Sequence, residues 1–204
     1  DSALGWPLPV VAFGAPDAGV TIWVTGRQHP GETPASWAIE GLLARLASLS
    51  DPRVAELLAR ARLLVAPLLN PDGVELGNHR TSATGADLNR AWWAPDPDAA
   101  PEIAAVAAAI ADTGVDLLLD VHADEAAPFA FATGTEGNPT RSDAAAAAEA
   151  RFVEALAEVS PEFLTESWYP PVDADDADLS TAANAIGERH GAAAITLELP
   201  MGDR

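Results

Sequence analysis

The chain of 204 residues carries a net charge of −20, with 31 acidic residues against 11 cationic ones, every one of them arginine. Such a field repels nucleic acid and anionic membranes, so neither is expected as a partner. Cysteine is absent, which excludes disulfides and thiolate ligands and leaves imidazole and carboxylate as donors for any metal.

A hydrophobic fraction of 49% and this length fit one globular domain, residues 1–204, with a sizeable core. No apolar run reaches the ~18 residues that a membrane helix needs, and no signal peptide is recognisable. A cytoplasmic location is the expectation. The acidity has two readings: a surface adapted to high salt or a GC-rich genome, or an acidic face that recruits basic peptides.

Residues 10–13 form a short strand candidate, and a turn with Pro16, Asp17 and two glycines follows. Residues 20–25 read as a buried strand that opens into the loop holding His29 and Glu32. Thr33 and Pro34 supply a helix start, and Trp37, Ile39, Leu42, Leu43 and Leu46 then repeat at roughly one apolar face. Asp51 and Pro52 open a second short helix to about Arg60. Residues 62–69 form the next strand, ended by the turn sequence Asn70-Pro71-Asp72-Gly73.

Residues 77–99 lack periodicity and are rich in Gly, Asn, Asp and Pro, which predicts a long functional loop. An alanine-rich helix is expected over 101–110, a central strand over 115–121, irregular structure over 123–141 and a helix over 142–158. An acidic loop at 173–178, a helix over 179–190 and a final strand over 193–199 complete the chain. Strands and helices alternate at crossover spacing. The fold class predicted is therefore α/β, a single domain with a mostly parallel, mixed sheet and helices on both faces.

The chemistry-bearing residues fall at strand ends, where open α/β sheets place their sites. His29 and Glu32 follow one strand, His122 ends a second buried run, and Glu198 lies inside a third. Two histidines and a glutamate leave zinc an open position, and a further glutamate is free to act as base. In the last strand the alternation of Ile195, Leu197 and Leu199 puts Thr196 and Glu198 on the opposite face. The residues alone thus read as a zinc hydrolase.

The motifs His29-Pro30-Gly31-Glu32-Thr33, Asn70-Pro71-Asp72-Gly73 and Gly77-Asn78-His79-Arg80 come first, in that order. Asp87-Leu88-Asn89-Arg90, Asp120-Val121-His122 and Thr196-Leu197-Glu198 follow. In this order and company they resemble the zinc carboxypeptidase family of the pancreatic type, and within it the cytosolic carboxypeptidase branch, from about Val20 to Asp203.

The resemblance implies a metallocarboxypeptidase that removes C-terminal residues from peptides or proteins by Glu-assisted attack of zinc-bound water. It implies one zinc ion held by His29, Glu32 and His122, with Glu198 as general base and Arg80 polarising the scissile carbonyl. Asn89 and Arg90 resemble the pair that binds the terminal carboxylate, and Asp87 the carboxylate that orients the first zinc histidine. Tyr169 is a candidate for the family's mobile tyrosine near the cleft.

The physical logic agrees with these roles. A cation at Arg80 is worth most when negative charge develops on the carbonyl oxygen. The Arg90 guanidinium can grip a carboxylate with two bonds, and a ligating imidazole needs its second nitrogen fixed.

Other polar residues read more plainly. His79 is a loop residue lining the cleft, His190 a helix-end histidine, and the aspartates at 173–178 a solvated loop rather than a calcium site. Trp92 and Trp93 either wall a pocket or pack. Arg189 is the fixed cation available near Glu198 in sequence, so a preference for acidic C-terminal residues does not follow.

The chain ends six residues after Glu198 and lacks the β-sandwich domain that precedes the catalytic domain in cytosolic carboxypeptidases. The expectation is a fragment or an unusually short homologue. Two alternatives stay open: an aspartoacylase- or desuccinylase-type zinc amidohydrolase acting on N-acyl amino acids, and a non-catalytic peptide-binding homologue.

Overall fold

The computed structural model describes residues 1–48 and 50–202; Asp203, where the resemblance ends, and Arg204 lie outside them. Among the described residues seven strands form one sheet in the order β1 (Val11–Phe13), β3 (Ala61–Ala66), β2 (Val20–Gly26), β4 (Leu117–Asp124), β7 (Ala193–Pro200), β5 (Ala130–Thr133) and β6 (Phe163–Leu164). The pairs β3/β2, β2/β4, β4/β7 and β5/β6 are parallel, while β1 on β3 and β5 on β7 are antiparallel. The expected mixed, mostly parallel sheet is the one observed.

Its central strands are leucine-, isoleucine- and valine-rich because both faces are covered. On one face Trp23, Leu64, Leu118 and Ala194 pack with residues of α4 (Pro101–Thr113) and α6 (Ala182–His190). On the other, Val24, Leu63, Val65 and Val121 meet Ala35, Ile39 and Leu46 of α1 (Thr33–Leu46). Further along the same sheet Ala132, Phe163 and Ile195 pack with α5 (Asp143–Val159). Two short helices, α2 (Pro52–Leu58) and α3 (Pro71–Leu76), complete the set. No helix among the described residues is long and apolar enough to cross a membrane.

Several expectations need correcting. Trp37 is not on the buried face of α1; it is 71% exposed. The buried stripe runs through Ala35, Ile39 and Leu46, and a residue two positions from Ala35 and from Ile39 points about 200° away from each. Asn70-Pro71-Asp72-Gly73 is more than a reversal. Asn70 caps α3 by accepting from Gly73 N at 2.9 Å, with Pro71 at the first helical position.

Residues 130–133 form a strand where irregular structure is expected. Their sequence Ala-Phe-Ala-Thr has little β signature, and pairing with β7 and β6 selects the conformation. β4 also runs two residues beyond His122, so that histidine is held by strand pairing rather than by a loop.

Candidate metal centre and active site

At the end of β2, Gly26 lies against α1 so closely that a Cβ would meet Ile39 Cδ1 at 2.4 Å. Arg27 then adopts a left-handed conformation, φ 56°, uncommon for a side-chain-bearing residue. Its guanidinium stabilises the bend by donating to Pro30 O at 2.8 Å and Ser36 Oγ at 2.6 Å. The reversal places His29 and Glu32 at the mouth of the sheet.

His122 arrives from β4, where period two puts it on the same face as Leu118 and Asp120. In the β4/β7 register it stands directly beside Glu198. Thr196 and Glu198 face the cleft, while Ile195, Leu197 and Leu199 join the opposite apolar face, as the alternation predicts.

The Glu32 carboxylate bridges the two histidines. One oxygen is 2.5 Å from His29 Nδ1 and the other 2.8 Å from His122 Nδ1. The second oxygen also accepts from Ala123 N at 3.1 Å. Donor atoms of His29, Glu32 and His122 lie within 4.8 Å of one another, and among the described residues this is the group that could share an ion.

Each imidazole has its other nitrogen on a carboxylate: His29 Nε2 is 3.0 Å from Asp87 and His122 Nε2 is 2.8 Å from Asp120. Burial disfavours charge on these histidines. The hydrogen bond of Asp87 with His29, and the charge of Asp120 on His122, together with Glu32 in both cases, overcome it and raise both pKa values. Burial would likewise raise Glu32, but the hydrogen bonds from His122 and His29 outweigh it and hold Glu32 at about 2. A divalent cation competes for the positions those protons take. The donor set therefore fits zinc: two imidazoles and a carboxylate, each imidazole oriented from behind.

Asp120 is the functional residue that sequence reasoning missed. It is fully buried and accepts from Thr25 Oγ1 at 2.7 Å and Gln28 Nε2 at 2.6 Å. Gln28 is fixed in turn by Trp92 Nε1 at 2.8 Å. The signal was available: an Asp two residues before a ligand on a strand shares its face.

Asp87 serves two partners, since its other oxygen accepts from Arg80 Nε at 2.8 Å. Burial works against its ionisation, but His29 and Arg80 hold it well below the usual carboxylate range. Arg80 and Arg90 are both about half exposed and line the cleft. Arg90 donates to Asn89 O and lies 3.3 Å from Asp178. Asn89 also lines the cleft, yet its Oδ1 accepts from Ala182 N at 2.9 Å, where α6 has no side-chain cap of its own.

Glu198 is buried, which raises its pKa to about 7 against the opposing pull of His122, with Glu32 adding to the rise. Tyr169 OH sits 3.1 Å from Glu198 and 2.9 Å from Asp124, and its ring meets Phe131 edge-on at 5.1 Å. Burial, followed by the charge of Glu198, pushes the phenol upward. One hydroxyl proton cannot serve both carboxylates at once.

These groups surround a cleft of about 980 Å³. His79 lies at its rim, 2.6 Å from Glu125. The tryptophans pack rather than wall it. Trp92 is core, and Trp93 lies under the Arg189 guanidinium, whose carbon is 4.8 Å from the ring centroid. Arg189 also donates to Trp92 O and Trp93 O and does not line the cleft.

Residues 1–203 match the model of the zinc carboxypeptidase family. A metallo-carboxypeptidase from Pseudomonas aeruginosa, solved in complex with (2-guanidinoethylmercapto)succinic acid, superposes with a TM-score of 0.95. It shares 39% identity, over 99% of this chain and 54% of that one. An uncharacterised protein of Zymomonas mobilis is 40% identical over 183 residues, 90% of this chain and 48% of its own length. Mouse cytosolic carboxypeptidase 6 is 42% identical over 108 residues, 50% of this chain and 20% of its own. The chain thus spans about half the length of the first two relatives.

Proposed function

The chain belongs to the zinc carboxypeptidase family, and we propose that it is a one-zinc metallocarboxypeptidase releasing C-terminal residues from peptides or proteins. The observation that supports this most is the convergence of His29, Glu32 and His122 with Glu198 in register beside His122. Zinc bound by those three residues supplies Lewis acidity that activates water and polarises a carbonyl.

The remaining work falls to the chain. Glu198 accepts the proton as water attacks and can pass it to the leaving amine. Arg80, aimed by Asp87, stabilises the negative charge that develops on the carbonyl oxygen. Arg90 and the exposed part of Asn89 hold the substrate's terminal carboxylate. Asp178 is the partner that this carboxylate displaces from Arg90. Tyr169 leaves Glu198 and Asp124 when substrate enters, freeing the base.

The ligand of the Pseudomonas protein supports the same assignment. It carries carboxylates at one end, suited to these arginines, and a guanidinium at the other, which needs an anionic partner. A cytoplasmic location is the compartment proposed, in keeping with relatives named cytosolic carboxypeptidases.

Glu198→Gln tests the reading. Zinc content should stay unchanged while turnover of a peptide with a free C-terminus falls about 10²-fold or more. Undiminished turnover removes Glu198 as the base.

A further inference from the structure

Charge in the cleft is unevenly placed. Its two arginines, Arg80 and Arg90, come from the loop between α3 and α4, and each already faces a carboxylate. The segments that follow β5 and β6, at the far edge of the sheet, contribute Gly134, Glu136, Glu166 and Ser167. Phe131 pairs with Glu198 and Thr133 with Thr196, so this wall begins beside the base and leads away from it.

Among the described residues no arginine on this wall lines the cleft. Arg141 is 3.5 Å from Glu136, but it turns Nε and Nη2 onto the buried Glu149 at 3.1 and 2.5 Å. Arg141 opens instead on an adjoining cavity of about 320 Å³. Gly134 fits this arrangement, because a Cβ there would lie 2.5 Å from Glu149 and 3.1 Å from Glu136.

An acidic side chain on this wall meets Glu136, Glu166 and Glu198 while the nearest cation is already neutralised. A basic one meets carboxylates with room for its aliphatic stem. The −20 net charge favours the approach of cationic peptides to the protein.

Building on the carboxypeptidase reading, we propose that Glu136 is a specificity-determining residue and that the preferred substrates are peptides ending in arginine or lysine. Glu136 is 57% exposed before substrate binds, so its share is that of a partly screened ion pair, about two- to fivefold in rate.

The test uses the zinc-loaded protein and N-blocked peptides that differ only in a terminal Arg, Lys, Leu or Glu. Expected are kcat/KM values highest for Arg and Lys and lowest for Glu. Glu136→Gln should cost the basic substrates about two- to fivefold and leave the Leu substrate unchanged within error. Hydrolysis with Leu or Glu favoured, or a uniform loss in the variant, overturns the preference alone. A preference for Glu would shift attention to Arg141. Failure to hydrolyse any of the peptides overturns the carboxypeptidase reading, and the preference with it.

Discussion

Glu198, the proposed base, should weaken the metal-free protein, and the size of the effect can be worked out. Glu198 is displaced from an ordinary carboxyl value of 4.5 to about 7. Between those values the folded chain holds a proton that the unfolded chain has released. Stability contributed by this group therefore falls as pH rises from 4.5 to 7 and stays low above it. The displacement corresponds to roughly 3 kcal/mol at pH 8.

Glu198→Gln removes the charge but keeps an oxygen for the Tyr169 hydroxyl. Chelator-treated wild type and variant, unfolded in urea at pH 5 and pH 8, should differ by less than about 1 kcal/mol at the lower pH. At the higher one the variant should be more stable by about 2 to 3 kcal/mol. The raised values of His29 and His122 affect both proteins and largely cancel in the difference. Adding zinc should shrink the gap, because a nearby divalent charge favours the carboxylate. A gap that does not widen from pH 5 to pH 8 refutes the reasoning.

Asp120→Ala leaves His122 Nε2 without its acceptor and should weaken zinc binding about 10- to 100-fold, measured by competition with a chromophoric chelator. Unchanged affinity would show that Asp120 does not orient the ligand. Arg90→Ala should raise KM for peptides with a free C-terminus and make amidated and free substrates alike; a variant that still discriminates between them argues against Arg90 as the anchor. Trp37→Ser should change thermal stability by no more than about 0.5 kcal/mol, since the ring lies mostly in solvent. A larger loss would mean that α1 packs differently.

What could be read from sequence was whatever is set by local periodicity or by motif. Val20 to Gly26 and Ala193 to Pro200 are strands whose side chains, Val20 apart, are buried or half-buried, and their apolar runs show this directly. The ends of α1, α4 and α5 follow from Pro34, Pro101 and the Ser142 cap. β5 and β6 were not legible, since four and two residues of weak propensity owe their strand form to partners distant in sequence.

The same division runs through the site. His29, Glu32, His122 and Glu198 are marked by spacing and company. The bonds from Asp120 to Thr25 and Gln28, and from Asn89 to Ala182, join positions more than 90 apart in the chain. No local pattern records such pairs, and only the folded register brings them together.

The carboxylate of Asp87 touches an imidazole with one oxygen and a guanidinium with the other. Whatever alters one neighbour redistributes charge toward the second. Removing the Arg80 guanidinium releases Asp87 to pull harder on the His29 ring, and losing the His29 interaction loosens the arginine's aim. If His29 holds the ion and Arg80 steadies the reacting oxygen, as proposed, the two tasks are not separately adjustable in this scaffold, and a change at either position will be inherited by both.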